Sequence, residues 1–451
     1  MMDRTDHRSR RQLVIDGYGA SLSVERGHLM VTDGFVNEGE QRQLIISRGR
    51  NAPQRIVVRA PAGVVTIGAI DWCNRMGIPI AFVGSDSRLM NCLIPDNSHD
   101  GPVKRAQAVS GINGDGLRLV RWLLERKFES QIRALEVDLA RLSVLQDRLY
   151  LTGAAVRDIK GCIARLTDDR TLEEFLSREG LAAQRYWQVL AGTILPWPEW
   201  AKKRIPEHWT QVWPRNTGKR FPVRDATDPF NAMLNYGYTL LEVEARVACA
   251  THGLDPDLGL LHVDDRLRES FIYDLLEPIR ATVDHLCLEF ACQRGIRPHM
   301  FHELRDGVVR LDPDLARDLA HYLMPRLRRP TLEFAAAYTT QLRRVKVPYV
   351  LERLSRQFSP AGKVYERTRS RVQRNCEYCK QPLPRRGLKF CGRDCYLRHS
   401  VEIRQPIKLA QQKLAELRAQ GVNPGHGGEA AKKRGAAMAL TNRRRSQSYA
   451  R

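Results

Sequence analysis

The stretch from Asn231 to Arg280, NAMLNYGYTLLEVEARVACATHGLDPDLGLLHVDDRLRESFIYDLLEPIR, limits what this chain can fold into more than any other part of it. Leu234, Tyr238, Leu241, Ala245 and Ala248 recur at three- and four-residue steps, the period of one helix face. Gly253 predicts a left-handed C-cap, and Pro256 cannot continue the helical hydrogen bonding. Leu258, Gly259, Leu260 and Leu261 return the chain to apolar surroundings, with His262 directly after them. Ser270 predicts the N-cap of a second helix, on which Asp274 and Glu277 stand three apart and share a face. An imidazole beside two carboxylates, between apolar helices, has the ligand chemistry for a hard divalent cation. A hydrogen-bonded core histidine and a solvated acidic face are the commoner origin of such a pattern. A third ligand from elsewhere in the chain would separate the two readings.

The length of 451 residues allows two or more domains, each with its own core. Lys and Arg number 73 against 51 Asp and Glu, a net charge of +22, and this excess favours a polyanion, nucleic acid first. No apolar run is long enough to span a bilayer, and MMDRTDHRSRRQ offers no hydrophobic signal region, so the chain reads as cytoplasmic with no membrane partner. Cys73, Cys92, Cys162, Cys249, Cys287 and Cys292 lie in apolar segments, where reduced core packing is expected.

The fold class read from the pattern is α+β. Residues 1–100 form a β-rich domain: short β-branched runs at Leu13–Ile15, Ser21–Val24, His28–Val31, Gln43–Ile46 and Arg55–Val58 follow one another at hairpin-like spacing. Gly63–Thr66 extends the series, Ile67–Met76 reads as a helix, and Ile78–Val83 as a buried strand. No clustered acids, His or Cys mark this domain for chemistry, so dimerisation or partner contact is its expected work. From 101 to 365 the pattern is helical, with helices expected over Asp115–Phe128, Ser130–Leu149 and Thr171–Leu190. Glu179 stands in the last of these among Leu176, Leu181, Ala182, Tyr186 and Trp187; alone it reads as a surface acid. The segment Pro196–Asp228 interleaves Trp with basic residues, which suits phosphate and unstacked bases, and equally a loop whose tryptophans fold onto the core. Helices are expected to continue to about Phe358, broken at Pro298 and at Asp306-Gly307.

Four cysteines are clustered over residues 370–400. Cys376-x2-Cys379 and Cys391-x3-Cys395 flank a basic loop, a spacing that suits four thiolates around a structural zinc ion, with a redox pair as the weaker reading. A segment this short has little other means of forming a core. The tail, 401–451, carries 11 Lys and Arg against 3 acids, with a helix expected from about Pro406 to Gln420 and a basic end, Arg443–Arg445, adapted to polyanion contact.

With these residues in hand, the chain resembles the CRISPR-associated endonuclease/integrase family of spacer acquisition, Cas one. REGLAAQRYW, DPFNAMLNYGYTLLE, GLDPDLGLLH, SFIYDLLEPIR and FHELRDGVVRL fall in the family's order. The resemblance implies an N-terminal β domain followed by a helical catalytic domain, in a homodimer that joins DNA 3′-hydroxyl ends to a CRISPR leader-repeat by metal-dependent transesterification. It implies double-stranded DNA and the small dimeric adaptation protein as partners, and Mg2+ or Mn2+ as cofactor. Residue by residue, it places metal ligands at Glu179, in E-G-x-x-A-x-x-Y, and at His262 and Glu277, with Asp274 assisting metal or water. Two features depart from the family plan: a long loop at 196–228, and the zinc knuckle with its basic tail. The casposases, transposon integrases with the same catalytic domain and added C-terminal DNA-binding elements, are the nearest alternative. A non-enzymatic architectural DNA-binding protein is the alternative from another class.

Overall fold

Every β-branched run singled out above forms a strand in the computed structural model, which describes residues 12–34, 42–49, 52–95, 98–214, 225–262, 264, 266, 268–348, and singly 376, 379, 381, 395 and 416. Eight strands make the N-terminal part: β1 (Gln12–Asp16), β2 (Ala20–Glu25), β3 (His28–Thr32), β4 (Gln43–Ile46), β5 (Arg55–Arg59), β6 (Gly63–Val65), β7 (Ile80–Val83) and β8 (Leu89–Leu93), with α1 (Ile67–Arg75) before β7. They form two four-stranded sheets, ordered β4-β3-β2-β6 and β1-β5-β7-β8. Hairpin spacing holds for β2–β3–β4, which is an antiparallel meander. It does not hold for β1 with β5, β5 with β7, or β2 with β6, which pair in parallel. The physical reason lies in burial: β1 and β5 are covered on both faces, so they lack the alternation that marks a one-sided hairpin strand.

The two faces of β1-β5-β7-β8 have different work. Leu13, Ile15, Ile56, Val58 and Ile80 point into a core with Leu22, Leu29, Val31 and Trp72. Val14, Val57, Ala81 and Val83, one residue out of phase, join the core of the helical part. The sheet is therefore sandwiched between the second sheet with α1 on one side and helices on the other.

The helical part comprises α2 (Gly101–Ser110), α3 (Asp115–Arg133), α4 (Leu149–Arg165), α5 (Leu172–Leu190), α6 (Glu199–Lys202), α7 (Pro229–Thr251), α8 (Ser270–Leu276), α9 (Arg280–Arg294) and α10 (Pro313–Leu342). α3 runs past the expected end at Phe128, because Glu129-Ser130 contains no breaker. The helix expected over Ser130–Leu149 is replaced by a π turn at Ala134–Asp138 and 3-10 turns at Leu139–Arg141 and Ser143–Arg148. Leu139, Leu142 and Leu145 are all buried, and a step of three suits a helix of three residues per turn. FHELRDGVVRL, expected only to interrupt helices, is a hairpin of β9 (Phe301–Glu303) and β10 (Val309–Leu311), with Gly307 at φ +83° in its turn. Helix predicted beyond 348, and at Pro406–Gln420 apart from the helical, exposed Glu416, lies outside the described residues.

α7 is the axis. Asp228 caps it by accepting from the Asn231 amide at 2.9 Å, and Gly253 follows it at φ +66°, the expected left-handed position. The expected apolar face is present, but Tyr236, Leu240, Val243 and Val247 on other faces are buried too, because α9, α10 and β8 surround the helix. A buried ion pair adds to the apolar packing of helix on sheet. Arg55 on β5 grips Glu244 on α7 through two hydrogen bonds of 3.0 and 3.1 Å, both groups buried. Arg59 holds Asp16 at 2.8 Å and donates to the Leu311 carbonyl at 3.0 Å.

The chain divides into two compact units, Met1–Lys363 and Val364–Arg451. Among the described residues, no helix is long and apolar enough to cross a membrane.

Candidate active site

Glu179 reaches its place because Thr171 starts α5 with a reciprocal capping box to Glu174, and the rest of the helix is then fixed by Phe175, Ala182 and Tyr186 in the core. Glu277 follows α8 at the start of a short 3-10 turn, Glu277–Ile279, against α3. The two carboxylates, far apart in sequence, meet at one side chain. Lys127 of α3 pairs with both, at 2.6 Å to Glu277, and is itself 6% exposed. Arg280 adds a second cation to Glu277 at 2.8 Å. Burial pushes the Glu277 carboxyl up, but Arg280 and Lys127 outweigh it and hold the group at about 2. Burial likewise disfavours charged Lys127, and its two acids reverse the effect and raise it.

These groups line a cleft of about 420 Å³, together with Tyr186, Tyr238, Tyr273 and Asp284. The Tyr238 hydroxyl donates to Asp284, and the Arg280 guanidinium lies 5.4 Å from the Tyr238 ring centre. Lys127, Arg280 and Asp284 were not singled out from the sequence. For Lys127 a signal exists: Val120, Leu123, Leu124, Phe128 and Gln131 surround it on the buried face of α3. An ammonium on such a face requires an anionic partner.

His262 stands in the turn between α7 and α8, held by the carboxylate of Asp274. Asp274 is fully buried and accepts the amides of Leu260, Leu261 and His262 at 2.6, 3.1 and 2.9 Å. Its Oδ1 also meets His262 Nδ1 at 2.8 Å. An ionised carboxylate only accepts, so Nδ1 carries a proton, and Nε2 is the nitrogen left for a ligand. The imidazole lies 5.9 Å from the ring of Tyr273, which lines the cleft, and within electrostatic range of Glu277. Ser270, the expected N-cap of α8, is instead its first residue, and Glu269 holds the cap position without a side-chain capping hydrogen bond, its carboxylate pairing with Arg246 instead.

Two acids and an imidazole with one nitrogen tied to a carboxylate are residue types that a divalent metal centre can use. In the geometry described here Lys127 lies between the acids, and the ligand atoms of Glu179, His262 and Glu277 do not all fall within 4.8 Å of one another. Cys376, Cys379 and Cys395 do meet that condition, and Cys376 donates its amide to the Gln381 carbonyl at 2.7 Å. Cys391, and the tail apart from Glu416, lie outside the described residues. Of the remaining cysteines, Cys73, Cys162, Cys249 and Cys287 are buried thiols, and Cys92 and Cys292 are half-buried.

The Trp-rich segment divides between its two readings. Trp197 and Trp209 are buried and stacked, 6.1 Å between ring centres, with Phe301 edge-on to both. Trp200 and Trp213 are exposed. Residues 215–224 lie outside the described residues.

Two four-stranded sheets packed on a helical body with this acidic cleft place the chain in the fold class shared by Cas1 proteins and casposases. A casposase bound to integration product matches with a TM-score of 0.60 at 21% identity, over 76% of this chain and 98% of that one. A Cas6-RT-Cas1–Cas2 complex matches with 0.54 at 17% identity, over 74% of this chain and 35% of that one. Residues 13–323 match the family described as CRISPR associated protein Cas1, and the chain belongs to that family. The CRISPR-associated endonuclease Cas1 1 of Archaeoglobus fulgidus is 27% identical over 324 residues, 70% of this chain and 88% of that protein.

Proposed function

We propose that this protein is a metal-dependent DNA endonuclease and integrase that joins DNA 3′-hydroxyl ends to a target phosphodiester by transesterification, with a CRISPR leader-repeat as target. The observation that carries the reading is the meeting of Glu179 and Glu277 across one buried cation, beside a histidine whose Nδ1 is fixed by Asp274. Mg2+ or Mn2+ held by Glu179, His262 and Glu277 would supply Lewis-acid polarisation of the phosphodiester under attack. The other duties fall to the chain. Glu277 stays ionised down to about pH 2 and so remains a ligand throughout the neutral range. Asp274 sets the tautomer and direction of His262, which makes it a positioning residue. Arg280 balances Glu277 and leaves the cleft able to receive a phosphate.

In the reaction the fragment's 3′-oxygen forms a new P–O bond as the target's P–O3′ bond breaks. The attacking hydroxyl loses its proton and the departing 3′-oxygen gains one, so no covalent enzyme intermediate or co-reactant is needed. The proposed partners are double-stranded DNA, a second copy of this chain and the small dimeric adaptation protein, the Cas2 of the neighbouring complex. Cys376, Cys379 and Cys395 form a soft, compact donor set, and with Cys391 we assign them a structural zinc ion that steadies the basic tail on target DNA. That second unit lies beyond the family match, and it supports the casposase-like integrase as the second reading.

The test is strand transfer of a labelled duplex into leader-repeat DNA with Mg2+ or Mn2+. Fragments ending in a 3′-hydroxyl should be joined and 3′-deoxy fragments should not. His262→Ala should abolish joining while DNA affinity stays within about twofold, because phosphate contacts elsewhere supply most of it. Joining that persists in His262→Ala, or without divalent metal, refutes the assignment.

A further inference from the structure

Lys127 is absent from the ligand set just proposed, yet it is the group on which both acids converge. We propose that Lys127 is a built-in counter-ion of the acidic cluster, and that it makes tight metal binding conditional on an incoming phosphodiester. The inference rests on Glu179 and Glu277 being metal ligands. Lys127 extends from the buried face of α3 and is 6% exposed, so its ammonium has little access to water and stays with the acids. Arg280 pairs with Glu277 from the other side. Two carboxylates therefore face two cations, and the immediate cluster is neutral. Asp284, 2% exposed and bonded to Tyr238, adds one negative charge along the same wall.

Asp86 and Glu242, which also line the cleft, are paired with Arg88 and Arg246, so a divalent ion entering the cluster leaves a net positive charge beside the buried Lys127 and Glu277, even with Asp284 included. Such charge is unfavourable in low dielectric unless something offsets it. Two things can. The Lys127 side chain can leave the acids, or a phosphodiester can bring its negative charge to the cleft. The second couples metal and DNA: each raises the affinity for the other by the same factor. The cluster would then hold metal weakly until DNA is seated.

The experiment measures Mn2+ binding to the zinc-loaded full-length protein from the electron paramagnetic resonance signal of free Mn2+. It is run with and without a duplex whose 3′ ends lack the hydroxyl, and sites elsewhere are subtracted with Glu179→Gln. Wild-type protein should bind Mn2+ at least about tenfold more tightly with the duplex, within the usual span of such couplings. Lys127→Met should bind Mn2+ about tenfold more tightly than wild type without DNA, and gain less from the duplex. Lys127→Arg should keep the wild-type pattern.

Equal or weaker Mn2+ affinity of Lys127→Met without DNA overturns the inference. Where Lys127→Met fails to fold even with Mn2+, the wild type decides, and equal affinity with and without duplex overturns it. No Glu179-dependent Mn2+ binding in wild type under either condition refutes the metal site itself, a separate failure.

Discussion

Asp274 shows how much one residue can fix without touching substrate. Both of its oxygens are taken, by three consecutive amides and by the imidazole of His262. Asp274→Asn replaces one acceptor oxygen by a donor that faces amides, so the loop and the ring both lose their reference. Strand transfer should fall about 10–100-fold, the usual effect of removing a group that orients a ligand. DNA affinity measured by filter binding should hold. Arg55 supports the sheet in the same buried manner, and Arg55→Ala removes both hydrogen bonds to the buried carboxylate of Glu244 and leaves only the nearby charge of Arg328. Urea denaturation should show a loss of about 3–5 kcal/mol.

Glu277 gives a pH signature with a definite sign. Its folded value of about 2 lies below the ordinary 4.5, so it contributes stability above pH 4.5 and loses it as pH falls toward 2. Glu277→Gln should lower stability at pH 7 and flatten the acid limb of a stability–pH curve. An unchanged acid limb would count against the Arg280 and Lys127 pairing.

At the scale of elements, the close approach of α7 to its neighbours is set by Gly237. A Cβ there would meet Val283 Cγ1 at 2.7 Å, and Cys287 Sγ and Leu323 Cδ1 at 3.2 Å. Gly237→Ala should cost about 1–3 kcal/mol by overpacking, seen as a lower melting temperature, despite alanine's better helix propensity. The elements legible in the sequence were those with a clean period or a named cap. β1 to β6, α5, and α7 with Gly253 belong to this group. Pairing direction was not legible, because a strand buried on both faces, such as β5, carries no alternation. β8 was missed, since LMNCL mixes polar and apolar residues half-exposed at the sheet edge. Within the site, Glu179 had no local mark that separated it from a surface acid, and only the resemblance named it. Lys127 was overlooked although it interrupts an apolar face, since a single basic residue there also suits an exposed helix edge.

At the scale of the molecule, the charge of +22 spreads beyond any one site, and its effect is read in salt. A chain ending at Arg371 lacks the cysteine cluster and the basic tail. It should bind target DNA more weakly and with a flatter salt dependence, by about one unit of slope for each phosphate contact removed. Strand transfer on a pre-branched substrate should survive, because Glu179, His262 and Glu277 lie upstream. Equal affinity and slope for both chains would assign the second unit to protein contact instead. Metal analysis of the reduced full-length protein should find one zinc, and a protein without zinc removes the structural assignment of Cys376, Cys379, Cys391 and Cys395.

The turn that carries His262 is held from outside itself. Gln107 of α2 donates to the carbonyls of Asp255 and Leu258 at 2.8 and 3.0 Å and accepts the Asp255 amide at 2.9 Å, while Asp274 takes the three amides further on. Along the turn both anchors bond backbone groups, which every residue type but proline supplies in full. The side chains at 257 and 258 are thereby released from defining the turn's shape; Asp255, which accepts the Asp257 amide at 3.2 Å, and Gly259, where a Cβ would stand 2.8 Å from that of Ser270, are the exceptions. Over long divergence this turn can change its outward face while the histidine keeps its aim. Variation of surface and retention of chemistry are thus assigned to different atoms of the same few residues.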